Sequence, residues 1–225
     1  MNKSAVRMLH ASPGTPAVDV YVNGDLAVQD LNYEEITDYL MVAPGEYNIK
    51  VFLAGETTNP AVDVDVVIPD DEITTVAAVG VLPNISVLPV VQTEKCPPPQ
   101  KALARFIHLS PDAPKVDITQ ADNTMLFSEA EYQEVTAYLP VMAGTYDLQV
   151  RPTGLDTVML EIPGLQLKSE HLYSIYALGR LEGQPDLKAM VVPDSTALCV
   201  REVISREPDV KPYRWDRMQI KVHYR

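Results

Sequence analysis

The chain has 225 residues, 46% of them hydrophobic and 22% charged, proportions of a folded globular protein that exclude wholesale disorder. Its formal net charge of −13 repels nucleic acid and anionic lipid and leaves cations and basic surfaces as the charge-matched partners. No apolar run approaches the roughly 18 residues that a membrane-spanning helix needs, so membrane insertion is not expected.

The N-terminal stretch MNKSAVRMLHASPG lacks the apolar segment and small-residue cleavage site of a secretory signal. The expectation is cytoplasmic synthesis; the sequence names no final compartment and leaves deposition at a spore or envelope surface open. AVRMLH then reads as a first strand, and AVDVYV as a second that ends in an Asn-Gly turn signal. NYEEITDY has the length of one helical turn, but its even spacing of Thr and Tyr favours an extended ITDYLMV. In EYNIKVFL, Tyr47, Ile49, Val51 and Leu53 point one way while Asn48 and Lys50 point the other, the alternation of a strand with one face on a core and one in water. AVDVDVVI, ITTVAAVGV and SVLPVV complete seven short strands in about 90 residues, which indicates an all-β sandwich.

The pattern then begins again. A shift of 98 residues lays Arg7, His10, Ser12, Pro13, Pro16, Val18 and Asp19 on Arg105, His108, Ser110, Pro111, Pro114, Val116 and Asp117. One further residue of offset lays Tyr33, Thr37, Tyr39, Gly45 and Tyr47 on Tyr132, Thr136, Tyr138, Gly144 and Tyr146. This is an internal duplication. It divides the chain into a repeat at 1–95, a Pro-rich linker at 96–101 that favours extended geometry, a second repeat at 102–199 and a tail at 200–225. The fold expected is two tandem immunoglobulin-like or prealbumin-like antiparallel β-sandwiches followed by an extra C-terminal strand. Cys96 and Cys199 are the only cysteines; they can pair, cross-link neighbouring chains or stay reduced, and neither has zinc-site spacing.

The tail is basic, with seven Lys or Arg against four acids over 200–225. Near its end Met218, Ile220, Val222 and Tyr224 alternate with Gln219, Lys221, His223 and Arg225, an amphipathic strand. A lone strand must add to a sheet edge; the favoured arrangement is within its own chain, along the linker or domain edge, and the alternative is self-association or a protein partner through a neighbour's sheet edge.

Three groups of residues carry chemistry. His10, Ser12 and Asp19, with His108, Ser110 and Asp117, are the residue types of a nucleophilic triad, which requires them to converge beside an oxyanion hole. Strand parity puts each His on the core side and each Asp on the other face, while Ser-Pro favours a turn. The structural alternative has each His bonding across the Ser-Pro loop, and each Asp meeting Arg7 or Arg105 in a cross-strand pair, or backbone amides. The second group, Asp70, Asp71 and Glu72, holds the candidate ligands for a weak calcium site, calcium being the one cofactor considered. The third group, the repeated tyrosines, suits either packing or a carbohydrate platform.

The motif VRMLHASPGTPAVDVYVNG followed by ITDYLMVAPGEYNIKV resembles the bacterial and archaeal family called domain of unknown function 4397, and the likeness covers both copies. The second copy departs from it where ITQADNT replaces VYVNG. The resemblance implies a β-sandwich module, usual in exported or cell-surface proteins, without established enzymatic activity. The expectation is therefore a non-enzymatic structural or binding module of a cell-envelope or spore-surface assembly. The alternatives are an intracellular scaffold that binds a protein, and a small hydrolase built on His-x-Ser-Pro.

Overall fold

A computed structural model describes residues 4–196, and the chain divides into two compact units between Gln92 and Thr93. The first contains β1 (Ser4–His10), β2 (Val18–Val22), β3 (Asp25–Leu31), β4 (Leu40–Val42), β5 (Gly45–Leu53), β6 (Val62–Ile68), β7 (Ile73–Val81) and β8 (Asn84–Val91). One sheet has the order β4-β1-β7-β8 and the other β3-β2-β5-β6. Their facing sides bury Val6, Met8, Val76 and Ala78 against Val18, Val20, Ile49, Val51 and Val66. Each such aliphatic side chain contributes about 1.5–3 kcal/mol when removed from water.

The second unit repeats this plan with β9 (Lys101–His108), β10 (Val116–Gln120), β11 (Met125–Ala130), β12 (Leu139–Met142), β13 (Gly144–Pro152), β14 (Leu160–Leu167), β15 (Leu172–Leu178) and β16 (Lys188–Pro193). Its sheets run β12-β9-β15-β16 and β11-β10-β13-β14. Phe106, Phe127, Ile118, Leu148, Val150 and Ile175 fill its core.

The chain is therefore all-β and built as two tandem sandwiches, with three departures from the sequence reading. The sheets are not purely antiparallel: β1 pairs in parallel with β7, and β9 with β15, so the first strand of each sandwich lies alongside its penultimate one. Each repeat has eight strands, because β3 and β11 were not foreseen. In ITDYLMV only Leu40–Val42 is strand, while Ile36 makes an isolated bridge to Leu9.

The central strands β1, β7, β9 and β15 are also covered on both faces and do not alternate between core and water. Part of that cover comes from the segment before β4, where the Tyr39 ring lies 4.5 Å below the Arg7 guanidinium. The Asn-Gly turn forms as read: Asn23 and Gly24 take φ of 53° and 89° between β2 and β3. In the second repeat β10 and β11 are joined by a longer turn, in which Gln120 N–H donates to the Thr124 carbonyl. Cys96, in the linker, is disulfide-bonded. Cys199 and the proposed strand carrying Met218, Ile220, Val222 and Tyr224 lie outside the described residues.

Candidate functional site

Each His-x-Ser-Pro motif forms the corner at which the chain leaves one sheet for the other. Proline after Ser12 and Ser110 bars helical geometry there, and the chain turns before re-entering as β2 or β10. At the corner His10 is wholly buried. Its Nδ1 accepts the Ser12 N–H at 3.3 Å, which assigns the Nε2–H tautomer, and Nε2 donates to the Pro16 carbonyl at 3.0 Å. His108 repeats both bonds with Ser110 at 3.4 Å and Pro114 at 3.1 Å. An edge-on tyrosine closes each ring from the side, Tyr33 at 6.0 Å and Tyr132 at 6.3 Å. Burial pushes both imidazoles below their ordinary value, partly opposed by the proline carbonyl and by Glu35 or Glu134.

The serine hydroxyls are committed elsewhere. Ser12 Oγ donates to the Gly80 carbonyl at 2.7 Å and lies 2.7 Å from Thr15 Oγ1. Ser110 Oγ points to Asp112 Oδ1 at 3.4 Å, and Asp112 in turn accepts the Leu181 and Glu182 amides, holding the loop before β16. Neither hydroxyl bonds to the histidine of its motif.

Asp19 sits on the outer face of β2 and is nevertheless buried. One oxygen accepts the Asp30 amide at 2.9 Å and the other the Gly55 amide at 3.0 Å. Asp117 holds the Glu129 and Gly154 amides in the same way. Asp30 and Glu129 have positive φ, and the register of β2–β3 and of β10–β11 shifts beside them. Each Asp thus clips an irregular edge strand to the turn after β5 or β13.

The expected Arg–Asp cross-strand pair does not form, since β1 and β2 belong to opposite sheets of the sandwich, as do β9 and β10. Arg7 Nε donates to Thr75 Oγ1 at 2.9 Å. Arg105 Nε donates to Ser174 Oγ at 2.8 Å and lies 3.8 Å from the carboxylate of Asp194, with both side chains almost fully buried. Ser174 and Tyr138 each donate to the same Asp194 oxygen, while the Tyr138 ring lies 4.6 Å from the guanidinium. Burial, then the Asp194 charge, raises the Tyr138 hydroxyl far above its ordinary value.

Sequence reading missed this network and the threonine clasp, in which Thr37 Oγ1 accepts the Met8 amide and Thr136 Oγ1 the Phe106 amide. The repeated Tyr47 and Tyr146 pack against the cores with their hydroxyls hydrogen-bonded, as the sequence reading favoured, and the partners it did not name are the Ala43 and Met142 carbonyls. Identity between the copies at Thr37/Thr136 and Tyr47/Tyr146 was the available signal.

Chemically the corner is a set of filled hydrogen bonds. Among the described residues no group of three or more His, Cys, Asp or Glu is placed to hold a metal ion, and Asp70, Asp71 and Glu72 occupy the turn between β6 and β7. That turn is tied to β1, with the Ala5 amide donating to the Glu72 carbonyl at 2.9 Å. No helix among the described residues is long and apolar enough to cross a membrane.

No curated protein matches the chain. Solved structures similar to it include the Bacillus anthracis TIE protein, at 13% identity and a TM-score of 0.24 over 78% of this chain and 33% of that one. They also include CBMbc, a family CBM26 module of Eubacterium rectale Amy13K in complex with maltoheptaose, at 9% identity and a TM-score of 0.26 over 87% of this chain and 99% of that one. The chain spans about a third of the length of the first. The family model for "Domain of unknown function (DUF4397)" matches twice, over residues 4–119 and 105–201, and the chain belongs to that family as a tandem pair of its domains.

Proposed function

We propose that the protein is a non-enzymatic tandem β-sandwich that serves as a structural or binding module of a cell-envelope or spore-surface assembly. The observation that carries this reading is the corner, where in both copies the imidazole nitrogens are taken up by backbone bonds and the serine hydroxyl bonds away from the imidazole. A base in that state cannot take a proton from a nucleophile, and the aspartate that would orient it holds amides elsewhere. The disulfide at Cys96 supports an oxidising location. The reading needs no cofactor.

A double variant, Ser12→Ala with Ser110→Ala, separates this reading from the hydrolase. Expected are a lower melting temperature and no turnover of chromogenic esters by either wild type or variant. Hydrolysis by the wild type that vanishes in the variant, with melting unchanged, would overturn the proposal. Assembly through a sheet edge is tested by light scattering with and without residues 213–225; identical monomers remove that part of it.

A further inference from the structure

The two repeats share their corners, clasps and aspartate clips but differ on the outer face of one sheet. In the first repeat Leu26, Tyr21, Lys50 and Asp63 form a cross-strand row, each directly opposite the next on β3, β2, β5 and β6. In the second the row reads Met125, Thr119, Gln149 and Glu161. Shared residues hold the fold, so a face that diverges while these four positions keep their cross-strand pairing is free to specialise.

The row in the first repeat is organised before any ligand arrives. Tyr21 packs edge-on against Phe52, with ring centres 5.3 Å apart and planes at 75°, and Phe52 is itself buried. Lys50 pairs with Asp63 at 3.0 Å, and the Asn48 side-chain amide donates to both Asp63 and Asp65 at 2.9 Å. Lys50 and Asp63 are 37% and 46% exposed, and Leu26 at 39% and Val67 at 66% add apolar surface on the two edge strands. Four strands spaced at about 4.8 Å make the row about 15 Å long.

The surface thus combines an oriented aromatic ring with carboxylates whose other lone pairs face water. The pairing of Lys50 with Asp63 leaves no free cation on the row to hold an anion, and the charge of the chain repels polyanions. A sugar chain fits this chemistry: its C–H faces stack on the ring, and its hydroxyls donate to Asp63 and Asp65. Fixed groups also lower the ordering cost of binding. The geometry points to the outer face of the first repeat as a binding site for a neutral polysaccharide, with Tyr21 as the platform. This inference rests on the reading of the chain as a binding module.

The test is affinity electrophoresis of the full chain through gels that carry soluble neutral glucans, xylans or mannans, with co-sedimentation on cellulose and chitin. At least one neutral polysaccharide is expected to retain the wild type and Met125→Ala alike, and retention falls at least tenfold in Tyr21→Ala. Asp63→Asn with Asp65→Asn, both on the exposed edge, is the second variant should Tyr21→Ala disturb the sheet. Retention by none of the polymers, equal retention of both variants, or retention by an anionic polymer alone overturns the site and leaves the module reading standing. Release of reducing ends from a retained polymer would instead overturn the non-enzymatic reading.

Discussion

A histidine that accepts an amide hydrogen at one ring nitrogen and donates to a carbonyl from the other has no place for a second proton. In the unfolded chain His10 and His108 titrate near pH 6.5, whereas the folded corners, mainly through burial, lower both values. The unfolded state therefore binds more protons between the two values. The stability contributed by the neutral rings is complete above about pH 6.5 and is lost as the pH falls through that window. Melting temperature is expected to be flat between about pH 7 and 8 and to drop below about 6.5. In His10→Gln with His108→Gln, which cannot titrate, the drop flattens. Removing Asp194 takes the shared acceptor from the Ser174 and Tyr138 hydroxyls and a carboxylate from beside the buried Arg105, so Asp194→Ala is expected to lower stability in urea unfolding by about 1–3 kcal/mol.

The clips and hairpins act on whole strands. Asp19→Ala frees two amides and is expected to lower stability by about 1.5–3 kcal/mol, with faster hydrogen exchange concentrated in β3. Gly80→Ala is a harsher change, because φ at Gly80 is +91° and a methyl there would run into the Asn84 backbone of the same hairpin. The positions that proved legible in the sequence were those with strict alternation, such as Tyr47 to Leu53, or with a repeat partner, such as His10 and His108. β3 was not legible, since DLAVQDL carries a shift of register that sends Ala27, Val28 and Leu31 inward and breaks the period of two. Strand direction was hidden too: alternation marks which side is inside and says nothing of which neighbour runs parallel. Burial of both faces of β1 hid the path of Arg7, for parity alone places it in water. The Arg105 network joins residues 69 and 20 positions apart, a convergence that no local pattern records.

For the whole molecule, reduction of the Cys96 disulfide by dithiothreitol, or Cys96→Ser, is expected to lower the melting temperature, a shift that calorimetry reads directly. The parallel pairing of first and penultimate strands has a further effect. Ile73 lies between Ala5 on one side and the amide of Gln92 on the other, and Leu172 is likewise set between Leu103 and Asp194. Each repeat is entered and left at the same end of the same sheet, two strand spacings apart. A pull on its ends therefore loads the strands sideways, and their hydrogen bonds give way one after another, as teeth do in a zip. In a single-molecule trap, a repeat held at Ser4 and Gln92 is expected to open at lower force than one held at Ser4 and Gly80, where the load would shear β1 along β7. Under tension each repeat would lengthen early and yield one strand at a time.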